Sequence, residues 1–378
     1  MSLWITWWNL VLSLRPAFGR YRTFLWFSSA LAAFCVREDL RGVTSFVRAL
    51  GLHQAFYDRL LDFFHSPAVD VTQLTALWTG LVLRVLKPFL LTVNGRIVLP
   101  CVWVGDSYYA TAKIILPLLQ GGNHLVTALK SNAVAYEPAP SPGKRKRGRP
   151  RCYGTKIRLK TLFEDASAFT EAPSPVYGEK GVALAYRSVD LLWRPVGCLV
   201  RFVAVIHPHR GCRVFLSTDL SLTPLEIIAL YGVRFKIEVS FKQAVHTVGT
   251  YSYHFWMMPM TPISRRSGNQ HLHCKSDRYR EQVRRKIRAY HCHLQTGVIA
   301  QGLLQILSVL HPQLVWSYFG SWIRTIRPGI PPSEQIVSMA LRHRLPEFLA
   351  GASNTSALAK FLSERLDLNR AEGMRLAA

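Results

Sequence analysis

Carboxylates are scarce in this chain. Over 378 residues, 22 Asp and Glu stand against 47 Lys and Arg, a formal net charge of +25. Two stretches lack acids altogether. Between Asp70 and Asp106 there is not one Asp or Glu, and after Glu137 none occurs through residue 160. So basic a balance calls for a polyanionic partner or surface. Nucleic acid is the commonest, and an anionic membrane face is the main rival.

Long apolar runs are also missing from the N-terminal region. "SLWITWWNLVLSL" (2–14) and "FLWFSSALAAFCV" (24–36) fall short of the ~20 apolar residues of a spanning helix, and Arg15, Arg20 and Arg22 lie between them. No basic segment precedes the first run and no small-residue cleavage site follows it, so a signal peptide is not expected. Both runs read as core or interfacial helices. The seven cysteines are odd in number and lack framework spacing, which points to a reducing, cytoplasmic interior. No CxxC pair accompanies "HLHC" (271–274) or "HCH" (291–293), so zinc is not expected there.

What is present is a globular composition, 49% hydrophobic, long enough for two or three domains. Residues 1–93 read as helical, with "VTSFVRALGLHQAFYDRLLDFF" (43–64) patterned as an amphipathic helix pair. Over 94–136 the pattern becomes strand–helix–strand: "RIVLPCVWVGD" is extended, "YYATAKIILPLLQ" helical and "HLVTALK" a buried strand. Such alternation predicts an α/β core with parallel strands. Residues 137–218 read as a β-rich insertion that opens on a Pro/Gly-rich basic loop. Residues 219–253 resume the core with a long helix, whose start is a capping box at Thr223-Pro224-Leu225-Glu226. Residues 254–378 read as an all-helical tail with a basic stretch at 265–288.

Two features carry chemistry. Asp106 ends the strand "CVWVGD", the kind of position from which a carboxylate holds metal or moves a proton. On the helix after 224, at 100° per residue, Tyr231, Arg234, Glu238 and Lys242 share one narrow stripe. A carboxylate between Arg and Lys is placed to bind a metal while its basic neighbours grip phosphate. Taken alone, the stripe reads equally as surface i,i+4 ion pairs.

The order of strand-end Asp, β insertion and Tyr–Arg–Glu helix resembles the catalytic domain of IS4-type DDE transposases. The signature there is Tyr, two residues, Arg, three residues, Glu, six residues, Lys. Tyr231, Arg234 and Glu238 match it; the Lys position falls on Val245, with Lys242 on the same face. The resemblance implies an RNase H-like α/β core, with Asp106 as the second catalytic Asp and Glu238 as the Glu. Both would be ligands of Mg²⁺ or Mn²⁺. Arg234 and Lys242 would contact DNA, and Tyr231 would support the site. It further implies a first Asp on the strand matching "GRIVL" and two more strands before "CVWVGD". Here Leu99 runs through Pro100 straight into that strand, so the core reads as incomplete and the site as catalytically crippled. Removing paired strands predicts an open sheet edge.

Partners implied by the resemblance are element ends and target DNA, a homo-oligomer on that DNA, and a cytoplasmic, nucleoid-associated location with no membrane. Within "KRKRGRPR", Arg147-Gly148-Arg149-Pro150 resembles an AT-hook core, whose arginines enter a narrow minor groove. The plain alternative is a solvated basic loop touching phosphates. On either reading Lys144, Arg145, Lys146, Arg147, Arg149 and Arg151 bind DNA, and salt weakens the binding. "YSYHFWM" (251–257) reads as core rather than as a base-stacking platform. Two rivals to the enzyme reading are a non-catalytic DNA-binding remnant or regulator and a peripheral membrane protein that uses the Trp-rich N-terminus.

Overall fold

The computed structural model describes residues 2–40, 42–86, 92–93, 96–97, 102–130, 132–140, 151–253, 264, 266, 271–320, 322, 325–327, 329–351 and 356–369. In chain order, helices α1 (Leu3–Leu12), α2 (Tyr21–Val36), α3 (Thr44–Ala49), α4 (Tyr57–His65) and α5 (Val71–Leu86) come first. Strands β1 (Thr92–Val93), β2 (Arg96–Ile97) and β3 (Val102–Gly105) follow, then helix α6 (Ala112–Gln120). Next are β4 (His124–Ala128), β5 (Val134–Pro138), β6 (Tyr153–Arg158), β7 (Thr170–Pro173), β8 (Ala183–Trp193), β9 (Cys198–His207) and β10 (Gly211–Ser217). Helices α7 (Pro224–Val233), α8 (Phe235–Gln243), α9 (Asp277–Leu310), α10 (Pro312–Phe319), α11 (Glu334–Ala350) and α12 (Ala357–Ser363) complete the order. These elements form two compact units, Met1–Phe89 with Ser240–Ala378, and Leu90–Val239.

The first unit is helical, and both ends of the chain share its core. The two apolar N-terminal runs become α1 and α2, with Trp4, Trp7, Phe24, Phe27 and Phe34 buried. Trp4 stacks on Phe348 of α11 at 5.0 Å, and its indole N–H donates to the Leu341 carbonyl. A stacked aromatic with its polar handle satisfied ties the first helix to the end of the chain. Helix α9 is central. Up to Arg288 it contributes no buried residue, whereas from Ala289 onward it enters the core. Among the described residues it is the one helix long and apolar enough to cross a membrane, and most of its apolar window is buried inside the unit.

Two charged or titratable groups lie deep in this core. The Arg37 guanidinium donates to the Val248 carbonyl at 3.0 and 2.6 Å and to the Gly249 carbonyl at 2.8 Å. It also sits over the Phe34 and Phe46 rings at 4.6 and 4.7 Å. Burial pushes its pKa down to about 9 against the opposing charge of Asp39. Gly249, at φ +70°, has no room for a Cβ beside that guanidinium. His293 is fully buried among Phe34, Phe46, Phe64 and Tyr253, and its Nδ1–H donates to the Thr250 carbonyl at 3.2 Å. Burial, reinforced by the Arg37 charge, pushes His293 down to about 3.

The second unit is built on one mixed sheet in the order β3-β4-β10-β9-β8-β5-β6, with β7 against β8. Only β3 and β4 run parallel among the described pairs, joined through α6, with Val102 opposite His124 and Gly105 opposite Thr127. Strands β6 to β10 therefore continue the sheet that β3 and β4 begin. One face buries Leu125, Phe202, Ala204 and Leu216 with Ile115 of α6. The other buries Val126, Val203, Val205 and Phe215 under Ile227 and Ile228 of α7. β1 and β2 form a separate antiparallel pair. A mixed sheet with mostly helical termini is compatible with the expected α/β core.

Candidate active site

Strand β3 ends the sheet path, and its one partner among the described residues is β4. Asp106 follows it directly. One Asp106 carboxylate oxygen accepts the Tyr108 N–H at 2.9 Å, capping the 3-10 turn Ser107–Tyr109. The Asp106 carbonyl accepts the buried Thr127 hydroxyl at 2.6 Å, which fixes the backbone of β3's end to β4. Gly105 is required at this corner, since a Cβ would lie 3.1 Å from three atoms of the Tyr109 side chain. The sequence thus folds Asp106 into a rigid, half-buried strand end.

The capping box predicted at Thr223 is formed on both sides. The Thr223 hydroxyl accepts the Glu226 N–H at 3.3 Å, and Glu226 accepts the Thr223 N–H at 2.7 Å. The helix that follows differs from the single long one expected. It is jointed at Arg234, between α7 and α8, and then tightens into a π turn over Ala244–Val248. The cause lies in the sequence of α8. Phe235, Ile237, Val239 and Phe241 alternate with polar residues, a period-two pattern with β-branched members, and the helix buries no residue.

Part of the expected stripe survives the joint. The Tyr231 ring packs on Phe215 at 4.5 Å, and the Arg234 guanidinium lies 5.9 Å from the centre of the Tyr231 ring. Arg234 pairs with Glu238 at 3.5 Å, while the Glu238 side chain is 53% exposed. Lys242 is exposed a turn further along α8. Tyr231, Arg234 and Glu238 are therefore brought together. No hydrogen bond or ion pair joins Asp106 to any of them among the described residues.

Tyr231 and Arg234 also line a cavity of about 370 Å³ between α7 and the sheet, shared with His207, Arg210 and Arg213. Under this cavity Glu179 holds His207 at 3.0 Å and Arg210 at 2.6 Å and accepts the Ser174 hydroxyl at 2.5 Å. Burial works to raise the Glu179 pKa. Hydrogen bonds from His207 and Ser174, with the Arg210 charge, outweigh it and hold the carboxyl below its ordinary value. Sequence reasoning missed this cluster. "HPHRG" signalled the β9–β10 turn, but nothing near Glu179 marks it as the partner of that turn.

A divalent ion of the expected kind needs a cage of oxygens. Among the described residues no group of three or more His, Cys, Asp or Glu is arranged to hold a metal. Asp106 has one oxygen committed to a cap, Glu238 is tied to an arginine, and no acid exists between Asp70 and Asp106 to add to them. The donor set does not fit the two-ion site. Asp62 and Asp70 lie in the helical unit, where Asp70 caps α5 by accepting the Gln73 N–H at 2.9 Å.

Residues 79–246 match the family model of the transposase DDE domain. The match supports a DDE transposase. The DDE segment begins within α5, contains the whole of the sheet described above and ends in the π turn after Glu238. It implies DNA as substrate and transposition-related cleavage as reaction, and such domains generally use divalent metal ions. No curated protein matches the chain.

The remaining sequence candidates are placed as follows. Lys144, Arg145, Lys146, Arg147 and Arg149 lie outside the described residues; Arg151 is exposed ahead of β6. The 277–288 part of the second basic stretch forms the unburied start of α9. Its acids Asp277 and Glu281 pair with Arg280 and Arg284. Of "YSYHFWM", Tyr253 is core and Tyr251 is exposed, and 254–257 lie outside the described residues. Cys292 and His293 are buried, whereas His271, His273, Cys274 and His291 are exposed.

Proposed function

We propose that this chain derives from an IS4-type DDE transposase and binds DNA while cleaving it weakly or not at all. One observation carries the reading. The stretch just ahead of Asp106 is free of acids, and β3 has a described partner on one side only. In an RNase H-like core, the strand bearing the first Asp would belong to that stretch. Asp106 and Glu238 would be the remaining ligands of an ancestral pair of Mg²⁺ or Mn²⁺ ions. Arg234 and Lys242 would face a DNA phosphate, with Tyr231 supporting Arg234. Two such carboxylates do not hold a pair of ions roughly 3.5–4 Å apart, so no cutting step is assigned to them.

The same acid gap favours a second reading, a regulator that occupies element ends without catalysis. The basic loop at 144–151 would then supply most of the affinity, and the protein would work as an oligomer on DNA in the cytoplasm, at the nucleoid. The test is supercoiled plasmid carrying the element ends, incubated with Mg²⁺ and the protein, beside a gel shift on the same DNA. Retardation without nicking is expected. Neutralising Lys144, Arg145, Lys146, Arg147, Arg149 and Arg151 together is expected to weaken the shift and flatten its salt dependence. Nicking that vanishes with Asp106→Ala would overturn the proposal, because some other carboxylate would then complete the site.

A further inference from the structure

A second concavity opens beside Asp106, within 90–239. It measures about 870 Å³ and begins at Ser107, the residue after Asp106. The start of α6, the end of β4, the start of β5 and the β8–β9 turn wall it. Tyr108, Lys113, Lys130, Asn132, Tyr136 and Arg194 supply its polar and aromatic chemistry, and no Asp or Glu is among its lining residues.

We propose that this cleft is a groove for single-stranded DNA leading to Asp106. The proposal rests on the reading of the chain as a DNA-binding protein and names a surface and a strand state which that reading leaves open. Tyr108 is 79% exposed, its ring edge-on to Tyr109 at 5.8 Å, so a broad ring face is offered to the cleft mouth. Tyr136 presents a second ring, held by Tyr153 at 5.1 Å. Every base has a π-face, so such rings stack bases without selecting sequence. Lys113, Lys130 and Arg194 are exposed and have no ion-pair partner among the described residues. Three unpaired cations around two aromatic rings, with no acid between them, match the alternation of phosphate and base along a single strand. The amide of Asn132 can both donate to and accept from a base edge. A duplex keeps its bases stacked inside itself and presents no base face to Tyr108, so the groove favours the unpaired strand.

Fluorescence anisotropy of the full chain, with a labelled oligothymidine and a duplex of equal length, tests this. Tyr108→Ala is expected to weaken single-strand binding about tenfold, and Tyr108→Phe to restore it. The pair Lys113→Glu with Lys130→Glu is expected to weaken it further and reduce its salt slope. A control pair of equal charge change outside the cleft, Lys156→Glu with Lys160→Glu, should leave it near wild type. Tyr108 is exposed, so its replacement leaves folding intact, and a thermal melt verifies this. Single-strand binding untouched by Tyr108→Ala, or weakened no more by the cleft pair than by the control pair, overturns the groove while leaving DNA binding standing. A wild-type protein that binds neither oligonucleotide removes the DNA reading itself and the groove with it.

Discussion

The helical unit and the sheet unit share one chain but are finished differently. In the helical unit a single buried cluster runs from Leu3 to Leu362 and takes in the largest aromatics of the chain. In the sheet unit two smaller clusters lie on opposite faces, and large apolar side chains remain in solvent. Trp103 on β3 is 57% exposed and Phe235 on α8 is 66% exposed. The bare strand and the missing acids fall on neighbouring residues. The comparison teaches that the defect is local: the scaffold around the catalytic segment is packed like any stable domain, and the strand next to the expected chemistry is not.

The sharpest way to break this comparison is to remove equivalent aromatics from the two units and read stability in denaturant. Phe27→Ala in the helical core should cost about 3–5 kcal/mol by loss of buried area and cavity formation. Trp103→Ala on β3 should stay within about 0.5 kcal/mol. A large loss from Trp103→Ala would mean that this edge is covered in solution.

Next in size is Arg37. Replacing it by Met removes every donor from the Val248 and Gly249 carbonyls that it now serves and leaves those acceptors buried. The expected loss is about 3 kcal/mol. A neutral result would mean that water takes over the carbonyls and that the clamp on the π turn is dispensable.

His293 gives a dependence on pH. Its native pKa is pushed down to about 3 while the unfolded chain titrates near the ordinary 6.5. Below pH 6.5 the unfolded state therefore binds a proton that the native state refuses. Stability is fully present above pH 6.5, falls as pH drops, and levels off once pH passes below about 3. At pH 5 the loss from this one group is about 2 kcal/mol. Melting curves of wild type and His293→Phe at pH 7 and pH 5 check this. The variant should lose less on acidification, and parallel losses would contradict the assignment.

The smallest effect is expected at the Arg234–Glu238 pair. It is long at 3.5 Å and half in solvent, so Arg234→Ala should change stability by about 0.5 kcal/mol or less. Its effect on DNA affinity should be larger than its effect on folding. The opposite ranking would make the pair a plain surface ion pair, the alternative its spacing always allowed.

Much of this architecture is legible in the sequence wherever the signal is local. Thr223 to Glu226 writes its capping box in four consecutive residues, "HLVTALK" writes a buried strand, and the N-terminal Trp-rich runs write buried helices. What is not legible depends on residues far apart in the chain. The joint at Arg234 follows from a period-two pattern inside a helix, where two local rules conflict. Glu179 meets His207 and Arg210 because β8 and β9 bring their loops together. Trp4 meets Phe348 because both ends of the chain contribute to one core. For the site, the spacing of Tyr231, Arg234 and Glu238 was enough to foresee their contact. The cleft beside Asp106 draws on four separate segments and has no linear signature.

The central claim is that the carboxylates left in this chain do not assemble a two-ion site. Calorimetric titration of the full chain with Mn²⁺, in parallel with Asp106→Ala, tests it without relying on activity. The account predicts no saturable binding of paired ions and the same trace for both proteins. Saturable binding of two ions by the wild type, lost in Asp106→Ala, would contradict it.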